Sequence, residues 1–183
     1  MSIYEVIFYG DSPKSNPFLC EIKNEEIVRE FQSGKSYKNK EEIELKIIQK
    51  GSKDNFLKNT QKLLVVDEKV KKIMDVEDME NIEFIPIEIE QQQYYIINIV
   101  NMLYDSLDWH KSVIMTYPED FPNKAVRGKI GTIWKTVLYK NRIKGHIFRI
   151  AEHTSDVFVD EYFKDLIEKN GFTGIDFQKV GLS

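Results

Sequence analysis

Ile3–Tyr9 (IYEVIFY) strings β-branched and aromatic residues together ahead of Gly10-Asp11-Ser12-Pro13, which predicts a first strand running into a turn. The rhythm then changes. Asn24–Phe31 (NEEIVREF) has a capping Asn and two Glu in its first turn, and predicts a short helix that stops near Gly34. Ser33–Glu42 is polar and reads as a loop, Ile43–Gln49 (IELKIIQ) alternates as a strand does, and Gly51–Asn59 reads as a turn region pinned by Phe56 and Leu57. Tyr94–Val100 (YYIINIV) is almost wholly apolar or β-branched, which predicts a central strand covered on both faces. Tyr104–Pro122 interleaves acids, aromatics and prolines, and predicts a long ordered excursion from the sheet. Ile130, Ile133, Trp134, Val137 and Leu138 fit the i, i+3, i+4, i+7, i+8 spacing of a helix, while the Thr, Ile and Val content of the same stretch fits a strand. The β-branched content tips the reading to strand.

Sliding the chain from 64 onto 157, a shift of 93 positions, lays Leu64–Ile87 on Val157–Val180 without a gap. Six of the 24 pairs are identical, among them Val66-Asp67-Glu68 on Val159-Asp160-Glu161, Lys71 on Lys164, and Phe84 on Phe177. Each copy reads as an apolar strand, an Asp at a helix cap, an amphipathic helix and a second strand. Phe163, Leu166 and Ile167 form one apolar helical face, which Val70, Ile73 and Met74 repeat, and Gly171 follows as a helix stop. The pattern predicts an α+β fold: a mixed β-sheet with packed helices, containing two repeated strand–helix–strand units at about 64–87 and 157–180. A length of 183 residues with 42% hydrophobic side chains suits a single domain over 1–183.

The chemistry of an enzyme is hard to assemble from this chain. Its one cysteine, Cys20, excludes an internal disulfide and any multi-cysteine metal site, and beside Phe18-Leu19 it reads as a packed thiol. His110, His146 and His153 lack the spacing that puts two metal ligands on one helix face, and there is neither a Gly-x-Ser-x-Gly elbow nor a phosphate-cradling glycine loop. No cofactor and no metal are implied. No apolar run is long enough to span a bilayer, and the N-terminus lacks the basic and apolar regions of a signal peptide, so the expectation is a cytoplasmic protein without a membrane partner.

Charge adds more. The net charge of −4 hides two opposed segments. Asp75–Glu90 carries seven acids and no base, whereas Phe121–Ile150 carries eight bases and no acid. They either face each other or sit solvated, or one of them meets a partner: the acidic segment a basic protein, the basic segment, with Trp134 and Tyr139 interleaved, a phosphate backbone.

His146-Ile-Phe-Arg149, then Val157-Phe-Val-Asp-Glu161, then Gly171-Phe-Thr-Gly-Ile-Asp-Phe177 resembles the closing signature of the immunity protein eleven family of bacterial polymorphic toxin systems. Asp54-Asn55-Phe56-Leu57, Phe84-Ile85-Pro86-Ile87, Tyr94–Val100 and Asp105-Ser106-Leu107-Asp108 resemble earlier motifs of that family in the same order. The likeness covers about residues 40–180. Residues 1–40 are an unmatched N-terminal part of the same domain. Asp67 and Asp160 stand where the family usually has Ser, and Asp caps a helix equally well. The resemblance implies a non-enzymatic immunity protein that binds and neutralises a cognate toxin domain. Excursions from a rigid sheet commonly carry function, which makes Asp105, Asp108, Trp109, His110, Tyr117, Glu119 and Asp120 the first candidate toxin contacts, with Glu77, Asp78 and Glu80 the second. Two rivals stay open. One is a small cytosolic nucleic-acid-binding protein using the basic 121–150 segment, against which a net acidic chain without a nucleic-acid-binding signature argues. The other is a small enzyme, which a pocket gathering His110, His153 and carboxylates would favour.

Overall fold

The computed structural model describes residues 1–8, 16–38 and 42–183. In chain order the elements are β1 (Ile3–Ile7), β2 (Leu19–Ile22), α1 (Glu25–Phe31), β3 (Leu45–Gln49), β4 (Phe56–Asn59), β5 (Leu64–Asp67), α2 (Glu68–Val76), β6 (Ile82–Ile89) and β7 (Gln92–Ile99). They continue as β8 (Met102–Leu103), β9 (Val113–Thr116), β10 (Ile130–Lys135), β11 (Val137–Leu138), β12 (Ile147–Ile150), β13 (His153–Asp160), α3 (Glu161–Lys169), β14 (Asp176–Lys179) and β15 (Gly181–Leu182). A six-stranded sheet runs β3-β2-β4-β5-β7-β6, a five-stranded sheet runs β14-β1-β13-β12-β8, and β9 with β10 and β11 with β15 form two short ribbons. The fold is the mixed α+β arrangement that the patterning predicts, with helices in the minority.

The duplication is visible in the strand registers. In the first unit β5 and β6 flank β7, and in the second β13 and β14 flank β1, antiparallel in every case. Val66 faces Tyr95 as Val159 faces Tyr4, and Phe84 faces Ile97 as Phe177 faces Val6. The likeness extends past the boundaries visible in the sequence. β4 lies beside β5, and β12 beside β13, in matching register: Phe56 on Val66, Ile147 on Val159. β2 then runs parallel to β4 just as β8 runs parallel to β12.

Local interactions repeat as well. Asp67 accepts from the N–H groups of Lys69 and Val70, and Asp160 from that of Phe163, each at 3.0 Å, capping α2 and α3. The other oxygen of each cap is held by the residue just before the neighbouring strand, Asn55 Nδ2 ahead of β4 at 2.8 Å in one unit and His146 Nδ1 ahead of β12 at 2.8 Å in the other. Lys71 lies over Phe84 and Tyr95, and its counterpart Lys164 over Tyr4. The units differ in connection. β6 passes straight into β7 through Glu90-Gln91, both at positive φ as a two-residue hairpin of this kind demands, whereas the matching strand of the second unit is β1.

The apolar faces of α2 and α3 share one core with Val6, Phe8, Val66, Ile97 and Val159. A second core fills the curl of the six-stranded sheet around Phe31, Leu63, Val65 and Ile96. A third, around Leu138, Phe148 and Phe158, underlies the β9–β10 ribbon. Alternate residues of β7 enter the first two cores, so this strand is internal and covered on both faces, as expected.

Several element boundaries need correction. Gly51–Asn59 is not all turn: Phe56–Asn59 is strand β4, because Phe56 and Leu57 are anchored in two different cores. β3 begins at Leu45 rather than Ile43. β1 ends at Ile7, and the expected turn at Gly10–Pro13 lies outside the described residues. The 130–138 stretch is two strands, β10 and β11. The excursion contains a strand of its own, β9, paired with β10.

Candidate protein-binding surface

The β9–β10 ribbon turns Ile114, Ile130 and Ile133 onto the third core. Alternation along a strand then sends their neighbours outward. Val113 is 47% exposed, Met115 41% and Trp134 66%, a set of large apolar side chains on one small ribbon. Trp134 falls in a register irregularity between the pairs Ile133–Ile114 and Lys135–Val113, and such bulges re-aim a side chain. Tyr117 lies alongside. A Cβ placed on Gly131 would sit 3.2 Å from the Tyr117 ring and 3.3 Å from Met115 Cε, so the absent side chain lets ring and thioether pack over the strand. Tyr117 also packs against Phe121, the rings tilted at 50° with centroids 4.8 Å apart. Arg127 Nε donates to the Phe121 carbonyl at 2.6 Å, and Tyr117 exchanges backbone bonds with Gly128 and Lys129, closing the 118–128 loop.

The turn before the ribbon is fixed from below. Glu152 Oε1 accepts from the Ser106 and Leu107 N–H groups, and the Asp108 N–H donates to the Val137 carbonyl. Asp108 is buried, and its Oδ1 accepts from His110 N and Lys111 N at 3.1 Å each. Its carboxylate therefore holds the turn. The turn presents Trp109, which is 51% exposed, beside His110, which is also exposed. Asp105, at φ 51°, Glu119 and Asp120 are all exposed, with Glu119 Oε1 beside Gly128. Trp109 also borders a groove with Lys129, Ile130, Glu152, His153 and Thr154. His110 does not line it, so the pocket that would gather both histidines is not formed there.

Glu77, Asp78 and Glu80 follow the C-terminus of α2, all exposed, with Val76 beside them at 80%. Carboxylates at that end oppose the helix dipole. Tyr162 of α3 hydrogen-bonds Glu77 and packs against His146, the rings tilted at 41° with centroids 4.7 Å apart. Among the described residues no ion pair joins this acidic segment to the basic one. The basic segment is not wholly on the surface either. Arg149 is completely buried and donates from Nη1 to the Thr154 and Ser155 carbonyls, and burial lowers its pKa to about 10.

A further polar cluster gathers partly exposed side chains around the buried Asp156. Asp156 on β13 is contacted by Lys62 Nζ and by His153 Nδ1, each at 2.6 Å. Beside it on β1, Glu5 is pushed up to about 7 by burial first and then by the negative charge of Asp156. Cys20 is a buried thiol that burial raises to about 11. Among the described residues no helix is long and apolar enough to cross a membrane.

The sequence pattern singled out Trp109 and Tyr117; Trp109 is half-exposed, whereas Tyr117 is partly buried against Phe121. Sequence reasoning gave no weight to Val113 and Met115 and read Trp134 as part of a basic stretch. Three successive apolar residues, Val113-Ile114-Met115, must put apolar side chains on both faces of a strand, and that is the signal that could have found Val113 and Met115. A family model described as an immunity protein family, Imm11, matches residues 49–182. No curated protein matches the sequence.

Proposed function

The chain belongs to the immunity protein family Imm11, and from that premise we propose that it protects the cell that makes it by binding a cognate toxin domain and holding it inactive. The match over residues 49–182 carries this reading. The mechanism is stoichiometric capture in the cytoplasm, within a polymorphic toxin system used in competition between bacteria. A stable interface of standard size buries roughly 1,600 Å², with affinity concentrated in a few aromatic or charged anchors. Trp109, Tyr117 and Trp134 are the anchors, with Val113 and Met115 filling the space between them. Asp105, His110, Glu119 and Asp120 form the polar rim, and Asp108 holds Trp109 in place from beneath. Glu77, Asp78 and Glu80 make a second contact, steering a basic region of the toxin.

The test is co-expression with the toxic domain encoded next to this gene, followed by titration of the purified pair. Wild-type protein should restore growth and bind with one-to-one stoichiometry. Alanine at Trp109, Tyr117 or Trp134 should weaken binding at least ~10-fold, about 1.4 kcal/mol or more. Failure to rescue growth rejects the function, whereas rescue with undiminished affinity in all three variants rejects only the surface.

A further inference from the structure

The six-stranded sheet curls around the second core without closing. Its outer strands are β3 and β6, and neither has a neighbour on its outer side among the described residues. The two edges face one another across a groove of about 290 Å3. Ile43, Leu45 and Ile47 line one wall, packed only partly onto the core, and Ile89 lines the other. At one end Glu90 spans the gap to Lys50 and Lys53, at 3.9 and 2.8 Å.

Strand directions matter here. β3 is antiparallel to β2, β2 is parallel to β4, and each step from β4 through β5 and β7 to β6 is antiparallel. β3 and β6 therefore run the same way. One extended segment laid between them in the opposite sense would be antiparallel to both, the relation β7 already has to β5 and β6. Exposed edges are usually blunted by charge or proline. β6 carries Pro86 at its middle, yet its end beside the groove has none, and β3 exposes Ile48 at 43%. The groove lining sets four carboxylates, Glu42, Glu44, Glu88 and Glu90, against one ammonium, Lys23. Lys23 is already paired with Glu44 at 2.8 Å, while Glu42 and Glu88 have no ion pair among the described residues.

We propose that the β3–β6 gap is a docking site for an extended, basic peptide segment of a protein partner, which enters as a strand and closes the sheet. Its backbone pairs with one or both edges. Alternate apolar side chains lie on Ile43, Leu45, Ile47 and Ile89, and its Lys or Arg side chains reach Glu42 and Glu88. This site is separate from the β9–β10 ribbon and does not depend on the toxin reading.

The probe is a blocked, fluorescently labelled heptapeptide of alternating Lys and Val, added to the full chain and followed by anisotropy and amide hydrogen exchange. Binding with a Kd below about 1 mM is expected. It should slow exchange in Leu45–Gln49 and at Glu88 and Ile89. The E42K/E88K double variant should weaken binding at least ~10-fold. An alternating Glu–Val peptide, and the Lys–Val peptide with N-methylated backbone amides, should not bind. Absence of binding by the Lys–Val peptide overturns the proposal. So does equal binding by the N-methylated peptide, which would mean charge adsorption without strand pairing. Unaltered affinity in a folded E42K/E88K variant does so too, and should that variant not fold, the N-methylated peptide and the exchange pattern on wild-type protein decide alone.

Discussion

Glu5 occupies the middle of an internal strand, paired with Phe158 on one side and Gln178 on the other, an expensive place for a carboxylate. With its folded pKa near 7, above the unfolded value, folding favours the protonated acid. Its contribution to stability is full below the unfolded pKa near 4.5 and is lost as pH rises through about 7. Asp156 works the other way. Hydrogen bonds from His153 and Lys62 outweigh its burial and lower its pKa, so its contribution holds above the unfolded value and fades as pH falls through the folded one. Between pH 5 and 8 the Glu5 effect dominates, and stability should fall as pH rises. Glu5→Gln should flatten that slope. Discounted for partial exposure, the variant should gain about 1–2 kcal/mol at pH 8 and little at pH 5, read from urea midpoints at both values. Equal slopes in variant and wild type would refute it. Asp108 and Trp109 are neighbours with separate duties. Asp108→Ala should cost about 1–2 kcal/mol of stability through lost turn hydrogen bonds. Trp109→Ala should leave unfolding within about 0.5 kcal/mol of wild type, because a half-exposed ring contributes little to the core. A sequence cannot separate two such residues, since the burial of Asp108 comes with a backbone bond to Val137, nearly thirty positions along the chain.

The helices and their termini were the most readable elements. Asn24, Asp67 and Asp160 cap α1, α2 and α3, because a side-chain oxygen reaches an N–H two or three residues on whatever the rest of the fold does. Replacing Asp67 or Asp160 with Ala should cost about 1 kcal/mol each, similar in the two units if they are true repeats. The segments after the helices separate local from non-local demands. Gly171 ends α3 at φ 63° with nothing within 4 Å of the point a Cβ would occupy, so Gly171→Ala should cost about 1 kcal/mol from backbone conformation alone. Gly174, at φ 105°, would place a Cβ 2.0 Å from the Phe56 carbonyl oxygen, where Thr173 bonds to Asp54 and Phe56. Gly174→Ala should cost roughly 3 kcal/mol or more, since strain and backbone clash add. Thermal unfolding of both variants checks the contrast, and a Gly174 variant no worse than the Gly171 variant would contradict the packing described. β2 and β4 were missed as strands because four-residue elements give periodicity too few positions to register.

Across the whole molecule, β1 is the element with the largest consequence. It lies outside the matched residues 49–182, yet it holds the second unit together by sitting between β13 and β14, with Ile3 and Val6 buried. Deleting residues 1–8 should abolish cooperative folding, and the full chain should unfold in one transition by near- and far-ultraviolet circular dichroism. A deletion variant that melts like wild type would show that the strand is dispensable. The sequence by itself determined the strand and helix rhythm of most of the chain, the capping acids, the 24-residue unit repeated 93 positions along and the family likeness. Each of these is written in short windows or in a self-comparison, through periods of 2 and 3.6 residues and side chains that reach only a turn away. Tertiary structure decided that β1 completes the unit at the other end of the chain, that Arg149 is interior while Trp134 is on the surface, and that β3 and β6 are left facing across an open gap. Those outcomes depend on which distant strands share an edge. A strand's own residues state which faces they bury but not which partner lies beside them, and the choice is made when separate apolar faces close on common cores.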